Sequence, residues 1–186
     1  MSETTTKTKE VSLDELWESA PISTHIFNPA SLTHLPNAAR LYLEHAIAPG
    51  AKLASAVRLW MHGEIKLGQK WHHFKGEEVI CWNRGMIWRA TTWMQGLPIW
   101  GADSVIDGAS AVEWKILGLF PVMQAAGVDV TRSGAGRMQG ESVWLPSVLC
   151  SPDIIWTEMD AAHVRANFIA LEEQAELVLT VDRSGG

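Results

Sequence analysis

Strict alternation of apolar and polar residues is the feature that most restricts the fold of this chain. In residues 57–67 the odd positions carry Val, Leu, Met and Ile, whereas the even positions carry polar residues or Trp. Shorter segments at 86–94, 99–106, 164–171 and 175–182 alternate in the same way. Successive side chains of a strand point to opposite faces, so the pattern predicts strands with one apolar face. We therefore expect a mainly β (α+β) fold, formed by one curved antiparallel sheet or half-barrel.

Two helices are predicted before the first strand. Ser12 and Glu15 have the spacing of a capping box, which favours a short helix through Glu18. Apolar residues at helical spacing over 38–46 predict a second helix, which Pro49 and the following glycine would terminate. Both helices are expected to pack on the sheet.

The middle of the chain departs from simple alternation. The apolar pattern slips within residues 71–82, which suggests β-bulges. Asp107-Gly108 is the dipeptide most typical of a two-residue hairpin turn. Beyond it, we expect short helices over 119–126 and 133–145, the second with Met138 and Leu145 on one face.

The two ends of the chain differ in their expected order. Residues 1–11 are polar and predict a disordered tail, which leaves residues 12–186 as a single domain. The apolar strand predicted over 175–182 is followed by the turn signal of residues 183–186. Either the product is shortened at its C-terminus, or a second chain pairs with the open edge.

Composition excludes several classes of partner. The 186 residues have a net charge of −6, without a basic cluster, so nucleic acid is not an expected partner. No window approaches the ~18 apolar residues that cross a bilayer, and no export signal is present, so we expect no membrane insertion and a cytoplasmic location. Cys81 and Cys150 have no partner at metal-ligand spacing, which favours reduced thiols.

Ten tryptophans against one tyrosine are the unusual part of the composition. Parity places Trp88 and Trp114 on the apolar strand faces, and Trp60 and Trp93 on the opposite faces. A ligand, a partner or a second protomer would explain aromatic residues on both faces. A wide core with some exposed tryptophans explains them equally well.

Arg137 and Glu141 are the clearest candidates for a functional site. They lie one turn apart on the predicted helix, close to Trp144, where a charge pair would address a polar group. A structural ion pair is the simpler interpretation and the more frequent one.

Asp103 is a second candidate, on the same strand face as Ile99 and Val105. A carboxylate directed inward has the raised pKa that a general base needs. A structural pair is again more common, and Arg58 and Arg89 are the expected partners.

Neither a metal nor a cofactor is expected. His62, His72 and His73, with Glu64, match no zinc or iron spacing, and adjacent His72 and His73 point to opposite faces of a regular strand. No nucleophile motif or dinucleotide-binding glycine pattern is present.

Several local motifs, in order along residues 35–182, resemble a family of uncharacterised bacterial proteins known as a domain of unknown function. The resemblance implies a curved antiparallel sheet with helices on its concave side, similar in outline to the half-barrel of lipoprotein carriers. It implies no catalytic residue, and it covers about the N-terminal two-thirds of such proteins. The motifs are Leu35-Pro36 with Arg40 and Tyr42, Met61-His62-Gly63-Glu64-Ile65, Trp71 with Phe74, Trp88-Arg89-Ala90, Gly101-Ala102-Asp103, Gly136-Arg137 with Glu141, and Trp144-Leu145-Pro146.

Three hypotheses of function stay open. The first is a module that binds a small apolar or amphipathic ligand on a concave face lined by Trp and Met, with Arg137 at the polar end of the ligand. The second is an enzyme that uses Asp103 or Glu141 with support from Arg137 or His62. The third is an assembly protein that pairs through residues 175–182. The candidate ligand-binding residues are Arg137, Glu141, Trp144, Asp103, Trp88 and Trp114.

Overall fold

The computed structural model describes residues 11–186, and these residues form three α-helices and nine strands. All but the last residue of the predicted disordered tail lies outside them. The helices are α1 (Leu13–Glu18), α2 (Asn37–Ala46) and α3 (Val128–Gly140), and three 3₁₀ turns span Pro29–Leu32, Glu141–Trp144 and Pro146–Cys150. The strands are β1 (Ala56–Leu67), β2 (Lys70–Cys81), β3 (Gly85–Met94), β4 (Leu97–Ile106), β5 (Ala109–Ile116), β6 (Phe120–Ala126), β7 (Ile155–Glu158), β8 (His163–Ala170) and β9 (Glu173–Thr180).

The strands form two antiparallel sheets. Strands β1 to β6 pair in chain order as a six-stranded meander, and β7 to β9 form a three-stranded sheet. The mainly β, antiparallel fold class is therefore confirmed, and the sheets are curved but not closed. The expectation of one continuous sheet is wrong, because the helical residues 128–150 interrupt the run of strands between β6 and β7.

The register of the large sheet is more regular than its sequence suggests. Strands β1 and β2 pair without interruption from Ala56 opposite Cys81 to Leu67 opposite Lys70. The predicted bulges in residues 71–82 are therefore wrong, and among the described residues the register shifts only beside Trp114, between β5 and β6. The apolar pattern slips for another reason, since polar Glu78 lies on a buried face.

Helices cover both faces of the six-stranded sheet. On one face Leu16 of α1 packs with Val79 and Ile87, as the capping box at Ser12 positions the helix. On the other face α3 and the following turns bury Met138 against the sheet. Helix α2 lies against β7 and β8 instead, so the expectation that all helices pack on one concave face is wrong.

The segment after β5 shows the largest departure from prediction. Residues predicted as a helix over 119–126 form β6, because they pair along β5 as the exposed edge of the sheet. Helix α3 begins at Val128, before the predicted residue 133, and ends at Gly140. The predicted buried face is confirmed, since Met138 and Leu145 are both buried.

Glycine allows α3 to approach the sheet closely. A Cβ atom at Gly134 would overlap the hydroxyl of Ser110 and lie 3.2 Å from the Cβ of Val105. The glycines that weaken the helix in isolation therefore also bring its backbone against β4 and β5. This close approach sets the depth at which the next turn of α3 reaches the sheet.

Turns and edges follow the predicted chemistry. Asp107 and Gly108 form the two-residue hairpin turn, with φ angles of 48° and 79°. Strand β9 is the outer strand of the small sheet, and Asp182 accepts the hydrogen bonds of a turn after it. Its pairing with another chain stays a prediction. Within residues 11–186, no helix is long and apolar enough to span a membrane.

Substitution of Gly101 by alanine is expected to destabilise the sheet. The added Cβ would overlap the indole ring of Trp114, so the free energy of unfolding should fall by about 1–3 kcal/mol. Gly136→Ala is the control, because no atom lies within 4 Å of its added Cβ, and it should raise stability by up to ~1 kcal/mol. Urea unfolding measures both changes. Equal effects of the two substitutions would contradict the packing described.

Candidate functional site

One row of side chains across the large sheet forms the floor of the candidate site. Glu78 of β2 lies directly opposite Trp88 of β3, and Trp88 lies opposite Asp103 of β4. Leu59 of β1 and Val112 of β5 continue the row. The pairing therefore places a carboxyl group on each side of one tryptophan, on the face that α3 covers.

Arg137 extends from α3 into this row. Its Nη2 donates to Oε1 of Glu78 at 3.3 Å, its Nη1 to Oδ2 of Asp103 at 3.1 Å, and its Nε to Oε1 of Glu141 at 2.8 Å. Its guanidinium carbon lies 4.9 Å from the ring centroid of Trp88, within range of a cation–π interaction. One cation thus connects the helix, two strands and the following 3₁₀ turn.

Aromatic contacts hold the two central tryptophans in place. The Nε1 of Trp114 donates to Oδ1 of Asp103 at 3.1 Å, and its ring centroid lies 5.6 Å from that of Trp88. The Nε1 of Trp88 points to the sulfur of Met61 at 3.3 Å, and Phe74 packs against Trp88 edge-on at 5.9 Å. Asp103 is therefore fixed by both a guanidinium and an indole N–H.

Glu78 is the most perturbed acid of this cluster. It is 1% exposed, and burial together with the neighbouring carboxyl group of Glu141 raises its pKa to about 8. Asp103 adds to the rise, whereas Arg137 opposes it. The hydrogen bond between the two glutamate carboxyl groups requires a proton on one of them, and the raised pKa places it on Glu78 near neutral pH.

A pocket of about 300 Å³ opens beside this cluster. Trp60, Met61 and Trp88 from the sheet and Trp144 from the turn after α3 form its apolar walls. Glu78, Glu141 and Arg137 supply its polar lining. A smaller cavity of about 90 Å³ lies on the other side of Arg137, next to Asp103 and Ser110.

Larger hollows elsewhere lack such a cluster of charges. Spaces of about 620 and 460 Å³ flank Trp82, and among the described residues Asp153 is the only acidic group that lines them. The combination of aromatic walls and convergent charged groups is therefore found beside Arg137.

The predicted site residues lie close together. Arg137, Glu141, Asp103, Trp88 and Trp114 form one connected cluster. The sixth predicted residue, the one in the turn after α3, lines the adjacent pocket. Their roles in binding a ligand stay predictions.

The expected partners of Asp103 are wrong. Arg58 and Arg89 have the strand parity of the opposite sheet face, and Arg58 bonds to Asp14 and Glu77 there. Arg137 takes the predicted role, because α3 approaches the face that carries Asp103.

Sequence reasoning missed Glu78, although a signal for it exists. The hairpin turn after Cys81 brings β2 back along β3, and counting residues from that turn places Glu78 opposite Trp88. The residue was overlooked because it lies within the segment whose pattern slips. Register arithmetic identifies it where hydrophobic periodicity does not.

The histidines do not join this cluster. The Nδ1 of His72 lies 2.9 Å from the carbonyl oxygen of Trp93, and the Nδ1 of His73 lies 3.6 Å from Oε1 of Glu64. Residues 11–186 contain no group of three or more His, Cys, Asp or Glu side chains that would hold a metal ion. Cys81 and Cys150 are free thiols.

The geometric condition for the enzyme hypothesis is met. Asp103 and Glu141 lie on the same side of the sheet and bond to the same guanidinium. Whether acid–base chemistry takes place there stays a prediction.

Comparison with known proteins gives one match. A family model described as a family of unknown function, DUF6544, matches residues 25–186. No curated protein and no solved structure matches the chain. The expected likeness to the lipoprotein carriers therefore stays a prediction.

Substitution of Glu78 by glutamine should change how stability depends on pH. Glu78 has a pKa of about 8 in the folded chain against an ordinary value of 4.5, so it binds its proton more tightly when folded. Its contribution to stability is complete below pH 4.5 and is lost as the pH rises toward about 8. Between these values the free energy of unfolding of the wild type should fall relative to that of Glu78→Gln, as urea unfolding measures.

Glu64→Gln is the control for this experiment. Its carboxyl group is 55% exposed on the neighbouring strand, so its difference from the wild type should change far less over the same pH range. A flat difference between the wild type and Glu78→Gln would show that the buried carboxyl group titrates normally.

Proposed function

The chain belongs to this family of unknown function, and we propose that it binds a small amphipathic molecule in the pocket beside Arg137. Glu78 and Glu141 hold the polar end of this molecule, which is a cation such as an ammonium group. One observation carries the proposal: three carboxyl groups converge on a single guanidinium at the base of a pocket walled by tryptophans.

The pocket walls provide the apolar contact area. Trp60 and Trp144 remain 72% and 59% exposed, although they belong to different elements that border the same pocket. An indole ring supplies a large apolar surface with few rotatable bonds, so it gains contact area at a small cost in conformational entropy. A ligand between these rings would cover surface that water otherwise contacts.

The balance of charge selects the polar end of the ligand. The three types of guanidinium nitrogen of Arg137 already donate to Glu78, Asp103 and Glu141. An anionic head group would therefore compete with protein carboxylates for the same donors. Even with Glu78 neutral, two other carboxyl groups face one cation, which favours a ligand cation over an anion. This assigns the head-group contact to the carboxyl groups, in place of the role that the sequence suggests for Arg137.

Indole rings near the pocket already contact cations. Arg137 lies over Trp88, and Arg58 lies 5.5 Å from the ring centroid of Trp60. Aromatic rings combined with carboxylates are a recurrent means of recognising alkylammonium groups. A volume of about 300 Å³ is at the lower end of the range for small-molecule sites, which suits a compact ligand.

Phenyltrimethylammonium is a suitable probe, with calorimetry as the measurement. Its dissociation constant should decrease by about tenfold as the pH rises through about 8, because ionised Glu78 adds a negative charge next to the ligand. The variant Glu78→Gln should bind without this pH dependence. Benzoate, a compact aromatic anion, should show no binding.

Two tryptophan variants separate the pocket from general effects. Trp144→Ser removes a pocket wall and should weaken binding of the probe, whereas Trp17→Ser changes a 42% exposed indole on α1 and should not. Equal effects of both substitutions, or benzoate binding as strong as that of the cation, would contradict the proposal.

A further inference from the structure

The end of the six-stranded sheet away from α1 has an unusual surface. Three hairpins end there, and we call this region the sheet tip: residues 64–75, 91–101 and 115–123. It is separate from the pocket beside Arg137. Exposed large apolar residues are concentrated at the tip, namely Trp71, Trp93, Leu97, Trp100, Leu117, Leu119, Phe120, Val122 and Met123.

Three tryptophans of the sheet tip form a diagonal stripe. Trp100 is paired with Thr91, two residues from Trp93, and the register of β2 and β3 places Trp71 diagonal to Trp93 on the other side. All three share the face opposite α3, with 63%, 42% and 48% exposure for Trp71, Trp93 and Trp100. Diagonal neighbours on a sheet lie about 7–8 Å apart, so the rings form one band across β2, β3 and β4.

The turn between β5 and β6 is apolar where turns are normally polar. Leu117 has a φ angle of 53°, a conformation that asparagine or glycine adopts more easily, and it is 42% exposed. Leu119 is 74% exposed and Phe120 is 63% exposed. Nothing in the folded chain compensates for these side chains, so an apolar environment outside the chain explains them better than water.

Charge identifies that environment. The sheet tip contains four lysines (Lys66, Lys70, Lys75 and Lys115) and a single acid, Glu64, in a chain with a net charge of −6. Lys66 lies opposite Trp71, and Lys115 lies opposite Trp100, although Lys115 also bonds to Glu113 at 2.8 Å. The tip therefore presents positive charge beside its aromatic band.

We propose that the sheet tip docks on the surface of an anionic lipid bilayer. Tryptophan is enriched at the boundary between headgroups and acyl chains, and lysines beside it contact anionic headgroups. Leu117 and Leu119 enter the outer part of the acyl region. The residue types favour lipid over protein, since protein interfaces are enriched in arginine and depleted in lysine, and the sheet tip has lysine without arginine.

Vesicle flotation tests this proposal. The full chain should float with vesicles of phosphatidylcholine and phosphatidylglycerol, and should float much less with phosphatidylcholine alone. Raising the salt concentration should weaken the association. The double variant Leu117→Asn, Leu119→Asn should bind at least about tenfold more weakly, because two inserted apolar side chains are lost. Asparagine suits the turn, so the variant should fold as the wild type does.

A matched variant and a second measurement interpret the result. Ile22→Asn with Val128→Asn changes two residues with 92% and 76% exposure away from the sheet tip, and it should float as the wild type does. The absence of flotation, or equal flotation with both lipid compositions, would overturn the proposal. Analytical ultracentrifugation that shows a wild-type dimer and a monomeric double variant would overturn it in favour of a second copy.

Discussion

The contact of Arg137 with three carboxyl groups is the interaction on which the rest of the structure depends. It joins α3 to β2 and β4 of the large sheet, and the same guanidinium covers the ring of Trp88. A buried carboxyl group is tolerated only when a charge or a proton compensates it, and Glu78 has both. The position of α3 in turn sets the position of the following 3₁₀ turn, which carries Trp144 to the pocket.

This arrangement links stability to function through one group of residues. Replacement of a buried ionic network by apolar side chains often leaves a protein equally stable, so such a network is weak evidence for stability alone. Here it lies at the base of an open pocket, and its carboxyl groups outnumber its cations. The cluster therefore does two things at once: it holds the helix on the sheet, and it gives the pocket a negative polar end.

Much of the fold could be predicted from the sequence, because most strands have one apolar face. Alternation identified β1 and β9, the capping box identified α1, and Asp107-Gly108 identified a hairpin turn. Strand β6 escaped prediction because all its residues are exposed, so it has no alternation. The site was predicted in part for a related reason. Arg137 and Glu141 share a helix face, a local relation, whereas the contacts of Arg137 with Glu78 and Asp103 depend on strand register and helix placement.

A double-mutant cycle on the free energy of unfolding tests the central claim most directly. Arg137→Met should destabilise the wild type by about 2–4 kcal/mol, since it leaves carboxyl groups without their partner, although a third of the guanidinium stays exposed. In the background Asp103→Asn with Glu141→Gln, the cost of the same substitution should be smaller by at least about 1 kcal/mol. The same cost in both backgrounds would show that Arg137 does not hold the helix to the sheet through these carboxyl groups.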